Sequence, residues 1–260
     1  MRILFLGDIV GRPGRNAVTR LLPGLKAKWE LDCVVANVEN ASGGIGLTIK
    51  NARQLYAAGI DVLTSGNHIW KHKEIIGFMQ ECPWLLRPAN YPPGAPGQGW
   101  GIYAVAQGDL AVVNLLGRIF MEQVDCPFQA ADKIVSSVRE QAKHIIIDFH
   151  AEATSEKKAL FYALNGKVSA VIGTHTHVPT ADAQISPEQT AYISDAGMCG
   201  PYHSVIGMDP GPILERFQTG LPQPFTVGRG QVVVQGVLLD TDGQGRAVVF
   251  TPVEQFYPPS

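Results

Sequence analysis

The sequence predicts a layered α/β fold with a mostly parallel sheet, and two observations point to it. Short apolar runs with strand character alternate with helix-length segments along much of the chain. Alternation of this kind is typical of α/β layers with parallel strands. Two regions, residues 100–116 and 231–250, have the pattern of β-hairpins and predict a second sheet that is rich in antiparallel pairs.

The individual elements follow from the periodicity of apolar residues. The predicted strands cover residues 3–6, 33–36, 62–64, 145–147 and 168–172, with hairpin strands at 100–106, 110–116, 231–239 and 247–250. The predicted helices cover residues 16–29, 49–58, 71–80, 129–142 and 155–164. Pro23 is expected to kink or end the first helix, because a proline inside a helix removes a hydrogen bond and clashes with the preceding turn.

One interval interrupts the regular pattern. Residues 197–229 are dense in glycine and proline around a short helical segment at 213–218. We expect a small helical or loop insertion there, within a single domain that spans residues 1–260. Apolar residues in 205–225 suggest that the chain forms a homo-oligomer.

Composition and charge exclude several classes of protein. With 45% hydrophobic and 17% charged residues, the chain has the composition of a globular domain and not of a disordered segment. The formal net charge of -2 gives no global basic field, so strong binding to nucleic acid is not expected. The sequence has no run of 18 apolar residues, and we therefore expect a cytoplasmic protein without a membrane segment.

Polar residues that can bind metal follow each of the five main predicted strands. In open α/β sheets, ligands bind outside the carboxyl ends of the strands, so these side chains are expected to converge. In chain order they are Asp8, Glu39 with Asn40, Asn67 with His68, His150, and His175 with His177.

Taken singly, most of these residues allow a structural explanation. Asp8 could cap a helix, and His150 could be a core histidine. The pair His175 and His177 is more specific, because side chains two residues apart in an extended segment point to the same side. All five strand ends together favour a metal site. Carboxylates, amides and imidazoles without thiolate suit Mn or Fe, with Zn and Mg as alternatives.

The order and spacing of these motifs resemble the calcineurin-like metallophosphoesterases. The segments Asn37-Val38-Glu39-Asn40 and Asp148-Phe149-His150-Ala151-Glu152 are more similar still to the bacterial YmdB-like subfamily of cyclic-nucleotide phosphodiesterases. The chain departs from the broader family at Asp8-Ile9-Val10, where Asp-x-His is usual, and at Glu39, which replaces a Gly-Asp bridge. Both departures recur in the subfamily. The resemblance implies a sandwich of two mixed β-sheets flanked by helices.

The resemblance also implies a ligand set for two divalent ions. Its members are Asp8, Glu39, Asn40 and His177 for one ion, and Glu39, Asn67, His150 and His175 for the other. Glu39 would bridge the ions, and a metal-bridging hydroxide would attack phosphorus. His68 follows the ligand Asn67 directly, so it is expected to project differently and to protonate the leaving oxygen as general acid. The implied substrates are 2′,3′-cyclic nucleotides or cyclic AMP, with monoesters as secondary substrates.

Contacts with substrate outside the ligand set are less well defined. Arg12 and Arg15 open a predicted helix after Asp8 and are candidates to hold a phosphate, although solvated arginines at a plain helix start are the alternative. His203 could reach the mouth of the site. Two other functions stay open: a metal-independent nucleotide-binding α/β protein that uses the loop at 7–14, and a regulatory or RNA-associated metal-binding protein with little turnover.

Overall fold

Two β-sheets packed face to face form the centre of the molecule. The computed structural model describes residues 1–257. The strands are β1 Arg2–Leu6, β2 Asp8–Ile9, β3 Cys33–Asn37, β4 Val62–Thr64, β5 Trp100–Val105, β6 Gly108–Leu116, β7 His144–His150, β8 Ala170–Thr174, β9 Gln184–Ile185, β10 Ala191–Ile193, β11 Met198–Pro201, β12 Val232–Thr241 and β13 Ala247–Tyr257. The α-helices are α1 Gly11–Trp29, α2 Ile49–Ala57, α3 Glu74–Glu81, α4 Pro127–Val138, α5 Thr154–Leu164 and α6 Pro210–Thr219.

Each sheet contains a block of parallel strands. The first sheet has the order β2-β11-β12-β1-β3-β4, with β13 paired to β12, and its strands β1, β3 and β4 run parallel. The second sheet has the order β5-β6-β7-β8-β10-β9, and its strands β6, β7, β8 and β10 run parallel. The carboxyl ends of each parallel block therefore form one edge of its sheet.

The alternation of side chains along β1 separates two hydrophobic layers. Ile3 and Phe5 pack between the two sheets, against Val112 and Ile146 of the second sheet. Leu4 and Leu6 point the other way, into a core shared with α1, α2 and α3. On the far face of the second sheet, a third core joins its strands to α4 and α5. Since successive strand residues face opposite sides, this apolar pattern gives a four-layer α/β/β/α sandwich.

The observed elements confirm the predicted fold class, with local differences. The two predicted hairpins are present as β5–β6 and β12–β13. Helix α1 does not end at Pro23 but continues to Trp29. The helix predicted at 71–80 is a 3₁₀ turn at Ile69–Lys71 followed by α3 at Glu74–Glu81, with His72 between them. The helix predicted at 129–142 ends at Val138.

The segment predicted as an insertion is partly built into a sheet. Met198–Pro201 form β11, which pairs with β2 and β12 of the first sheet. Pro210–Thr219 form α6, which extends the predicted short helix at 213–218. The short strands β2, β9, β10 and β11 were not predicted, because runs of two to four residues carry too little periodicity. That residues 197–229 form an insertion stays a prediction.

Within residues 1–257, every helix is too short or too polar to cross a lipid bilayer.

A glycine in α3 gives a first test of this architecture. Gly77 lies inside the helix, and a methyl group added there would meet no atom within 4 Å. Gly77→Ala should therefore raise the free energy of unfolding by about 0.5–1 kcal/mol, since alanine loses less backbone entropy in a helix. Urea denaturation monitored by circular dichroism measures the change. A loss of stability would contradict the placement of Gly77 on an exposed helical face.

Candidate metal centre

The candidate site lies where the carboxyl ends of parallel strands from both sheets meet. Glu39 and Asn40 follow β3, Asn67 and His68 follow β4, His150 is the last residue of β7, and His175 and His177 follow β8. Asp8 begins the short strand β2 immediately after β1. The two sheets thus contribute different ligand types: carboxylates and amides come from the first, and three of the four histidines come from the second.

Glu39, His150 and His175 form the tightest group. The Nε2 atom of His150 lies 3.2 Å from Oε1 of Glu39 and 3.0 Å from Nδ1 of His175. Two ligand atoms that share an ion at about 2.1 Å each are separated by about 3 Å. These three donor atoms therefore have the spacing of ligands around one cation, and all lie within 4.8 Å of one another.

Asp8, Asn40 and His177 form a second group beside the first. The Nε2 atom of His177 lies 3.1 Å from Nδ2 of Asn40 and 3.7 Å from Oδ1 of Asp8. Nδ2 of Asn40 also donates a hydrogen bond to Oε1 of Glu39 at 3.1 Å. Glu39 consequently contacts both groups, which is the position that the family resemblance implies for a bridging ligand.

Hydrogen bonds on the far side of each imidazole orient the rings. The Nδ1 atom of His177 donates to the carbonyl of Ile206 at 2.8 Å, which leaves Nε2 free on the side of Asp8 and Asn40. The Nδ1 atom of His150 contacts the Thr174 hydroxyl at 2.9 Å, and that hydroxyl donates to Asp148. The Nε2 atom of His175 lies 3.1 Å from the Glu152 carboxylate. Such partners fix the tautomer and direction of metal-binding histidines.

The electrostatics of the cluster are dominated by two carboxylates without access to water. Asp8 and Glu39 are fully buried. Burial alone would raise the pKa of Glu39, but His150 and His68 outweigh it and hold the pKa well below its usual range. Burial likewise opposes protonation of His150, yet Glu39 and Asp8 raise its pKa to about 9. Burial, together with repulsion from His150, lowers the pKa of His175 to about 3. The cluster therefore demands compensating positive charge.

Two buried oxygen atoms of the candidate site lack the hydrogen-bond partners that such atoms normally have. Oδ1 of Asp8 and Oδ1 of Asn67 accept no hydrogen bond from the described residues. Buried polar atoms are paired in the great majority of cases, so these two unpaired oxygens are expected to bind a partner such as a cation. With carboxylate and amide oxygens beside imidazole nitrogens, the donor set suits a first-row transition metal. The residues therefore fit a bound divalent cation.

The remaining predicted site residues differ in their distance from this cluster. Nδ1 of His68 lies 3.0 Å from Oε1 of Glu39 and 2.9 Å from Oδ1 of Asn40, so its ring joins the cluster with its side chain 33% exposed. Arg15 binds the carbonyl of Ala41 and the Gln54 side chain. Arg12 and His203 are exposed and make no hydrogen bond to the cluster among residues 1–257. The phosphate contact of Arg12 or Arg15 and the approach of His203 to the mouth of the site stay predictions.

Residues that support the candidate ligands were not predicted from the sequence. Asp148 and Glu152 belong to the quoted segment around His150, and their carboxyl character was a signal that received no assignment. Burial raises the pKa of Asp148 to about 6, although His150 and two hydroxyl groups oppose this. Asn37 donates to Asp148 at 3.0 Å and so ties the end of β3 to the end of β7.

The four-layer sandwich with ligands at its strand ends is the architecture of a metallophosphoesterase. A sequence model of the family described as "YmdB-like protein" matches residues 4–253. The chain therefore belongs to the YmdB-like family, which confirms the family that the motifs predicted.

Individual relatives agree with this assignment. The chain is 49% identical over 250 residues to a protein of Bacillus subtilis named 2′,3′-cyclic-nucleotide 2′-phosphodiesterase, covering 96% of this chain and 94% of that protein. A solved structure of a hypothetical protein from Thermus thermophilus has a TM-score of 0.94 at 44% identity, covering 99% of this chain and all of the other. A structure described as a novel phosphatase from Mycoplasma pneumoniae has a TM-score of 0.93 at 33% identity, covering 100% of this chain and 94% of the other.

A glycine beside the cluster tests its geometry. A methyl group added at Gly66 would overlap the His150 imidazole and the Glu39 carboxylate. Gly66→Ala should therefore push these two groups apart and lower the bound metal per chain, measured by inductively coupled plasma mass spectrometry. Gly77→Ala is the matched control, because the same change there meets no atom. Equal metal contents in the two variants would show that residue 66 does not touch the ligands.

Proposed function

We propose that this chain is a dinuclear-metal-dependent phosphodiesterase that hydrolyses 2′,3′-cyclic nucleotides. The family and the similarity to the B. subtilis enzyme make it a phosphoesterase. The observation that supports the finer proposal is the position of Glu39 between the two groups, where it contacts His150 of one group and the Asn40 side chain of the other. A single carboxylate between two sets of oxygen and nitrogen donors is what a two-metal site requires.

The charge balance of the cluster agrees with a phosphodiester substrate. Two divalent cations would bring four positive charges, and Asp8 and Glu39 would neutralise two of them. The centre would then stay cationic and attract the single negative charge of a diester. Bound cations would supply an activated water and stabilise charge that develops on the phosphoryl oxygens.

The residues of the cluster are proposed to have two roles, metal ligand and general acid. Asp8, Glu39, Asn40 and His177 are proposed to hold one cation, and Glu39, Asn67, His150 and His175 the other. His68 is proposed as the general acid that gives a proton to the leaving oxygen. Its ring is the part of the cluster most open to solvent, with 33% exposure against 20% for His175 and 8% for His177, so it can meet an incoming substrate.

The proposal also covers the identity of the metal and further substrates. Mn or Fe is the expected metal, with Zn and Mg as alternatives. Cyclic AMP is a further candidate substrate, and monoesters are secondary ones.

Because both sheets provide ligands, we propose that the chain acts as one catalytic domain. The exposed side chains of Leu214, Phe217, Leu221 and Phe225 support self-association. A cytoplasmic location stays a prediction.

Removal of metal tests the function directly. Protein treated with a chelator should lose hydrolysis of bis-p-nitrophenyl phosphate and of 2′,3′-cyclic nucleotides, and should regain it with Mn²⁺. Phosphate ester products are followed by chromatography, and metal is measured in the same samples. Activity that survives chelation would favour the metal-independent nucleotide-binding alternative. Metal-replete protein that is inert toward mono- and diesters would favour a regulatory or RNA-associated role.

Variants in the cluster separate ligands from the proposed acid. His150→Ala and Glu39→Ala should lower bound metal and activity together, because each removes a proposed metal ligand. His68→Ala should keep its metal and lose a factor of about 10² to 10⁴ in kcat, the effect of removing an acid–base group. Steady-state kinetics and metal analysis on the same preparations give both values. An unchanged kcat would remove His68 from the mechanism.

A further inference from the structure

The loop that carries His175 and His177 has an unfavourable backbone conformation. The φ angles of these two residues are 102° and 63°. Positive φ is costly for residues with a side chain, and it persists only where the surroundings enforce it. Something outside the loop must therefore hold the backbone in place.

Asp8 accepts a hydrogen bond from the His175 backbone N–H at 3.1 Å, and Asp195, which follows β10, supplies a second restraint. Its Oδ2 atom accepts hydrogen bonds from the Thr176 backbone N–H at 3.0 Å and from the Thr176 hydroxyl at 2.8 Å. Its Oδ1 atom accepts from the Gly197 backbone N–H at 2.9 Å. Thr176 is the residue between the two histidines, so the carboxylate holds the loop at its centre. It contacts neither histidine side chain through these bonds.

A buried lysine completes the arrangement. Nζ of Lys157, on α5, lies 3.0 Å from Oδ2 of Asp195, and both side chains are only 1% exposed. A buried ion pair is weak support for stability, because a well-packed apolar pair of similar volume is often as stable. Loss of one partner is costly, since it leaves the other charge buried and unpaired. Stability alone therefore does not explain why both buried side chains are charged.

We propose that Asp195 and Lys157 form a positioning pair that sets the metal affinity of the site by holding the backbone of Thr176, and thereby the imidazoles of His175 and His177. The pair acts through the loop and takes no part in coordination. This inference rests on the proposed metal-dependent function. It adds a determinant of metal affinity outside the donor atoms.

The decisive variant replaces both charges at once. Lys157→Met with Asp195→Leu removes the anchor of Thr176 and leaves no unpaired charge in the core. We expect the urea midpoint of the metal-free protein to fall moderately, because the buried Gly197 backbone N–H loses its acceptor. The dissociation constant for Mn²⁺, measured by calorimetric titration of metal-free protein, should rise about 10–100-fold, the usual effect of losing a group that orients a ligand.

A control variant separates positioning from a general loss of stability. Leu160→Ala lies on the same helix as Lys157 and is fully buried in the third core. It should lower the urea midpoint while the dissociation constant for Mn²⁺ changes less than about twofold, because it leaves the Asp195–Thr176 bonds intact. If Leu160→Ala weakens Mn²⁺ binding as much as the double variant does, the proposed positioning role is wrong.

The outcomes also distinguish this inference from the proposed function. Wild-type protein that binds none of Mn²⁺, Fe²⁺, Zn²⁺ and Mg²⁺ would overturn both. Wild-type and double-variant proteins that bind Mn²⁺ equally would overturn the positioning role alone. If the double variant does not fold, Thr176→Val decides, since it removes only the hydroxyl bond to Asp195. A several-fold rise in its dissociation constant supports the inference, and an unchanged value contradicts it.

Discussion

The burial of Asp8 and Glu39 is the constraint on which the rest of the structure depends. Removing an ionised carboxylate from water costs several kcal/mol even after relaxation, and these two are fully buried. The cost must be offset by positive charge and by hydrogen bonds. His150 lies 3.7 Å from Asp8 and 3.2 Å from Glu39, and backbone N–H groups of His68 and His175 donate to the same carboxylates. A bound cation would supply further positive charge beside the two carboxylates.

The two-sheet sandwich is what brings opposite charges together. Asp8 and Glu39 come from the sheet that packs on α1–α3, whereas His150, His175 and His177 come from the sheet that packs on α4 and α5. Close approach of the loops between them leaves no room for side chains at two positions. A methyl group at Gly7 would overlap the Gly197 carbonyl, and one at Gly66 would overlap His150 and Glu39. Glycine at these positions therefore permits the convergence.

The sequence predicted the convergence but not the network that supports it. Polar residues at strand ends could be recognised because apolar strands and the parallel-sheet rule locate them without further knowledge. Asp195 could not be recognised in the same way, because its partners Lys157 and Thr176 lie 38 and 19 residues away along the chain. The strands β2 and β11 were missed because they are two and four residues long. Their pairing depends on long-range contacts and not on local periodicity.

The backbone of the histidine loop departs from local conformational preference at the candidate metal site. Glycine would adopt the φ angles at His175 and His177 without strain. Glycine offers no donor atom, however, whereas His177 places its Nε2 atom 3.7 Å from Asp8 and 3.1 Å from the Asn40 side chain. The chain thus accepts a cost of about 1–3 kcal/mol at each residue. Asp195 holds the loop from one side, and Ile206, which itself has a positive φ of 46°, accepts the hydrogen bond of His177 from the other. The strained backbone therefore lies beside the buried carboxylates of the candidate metal site.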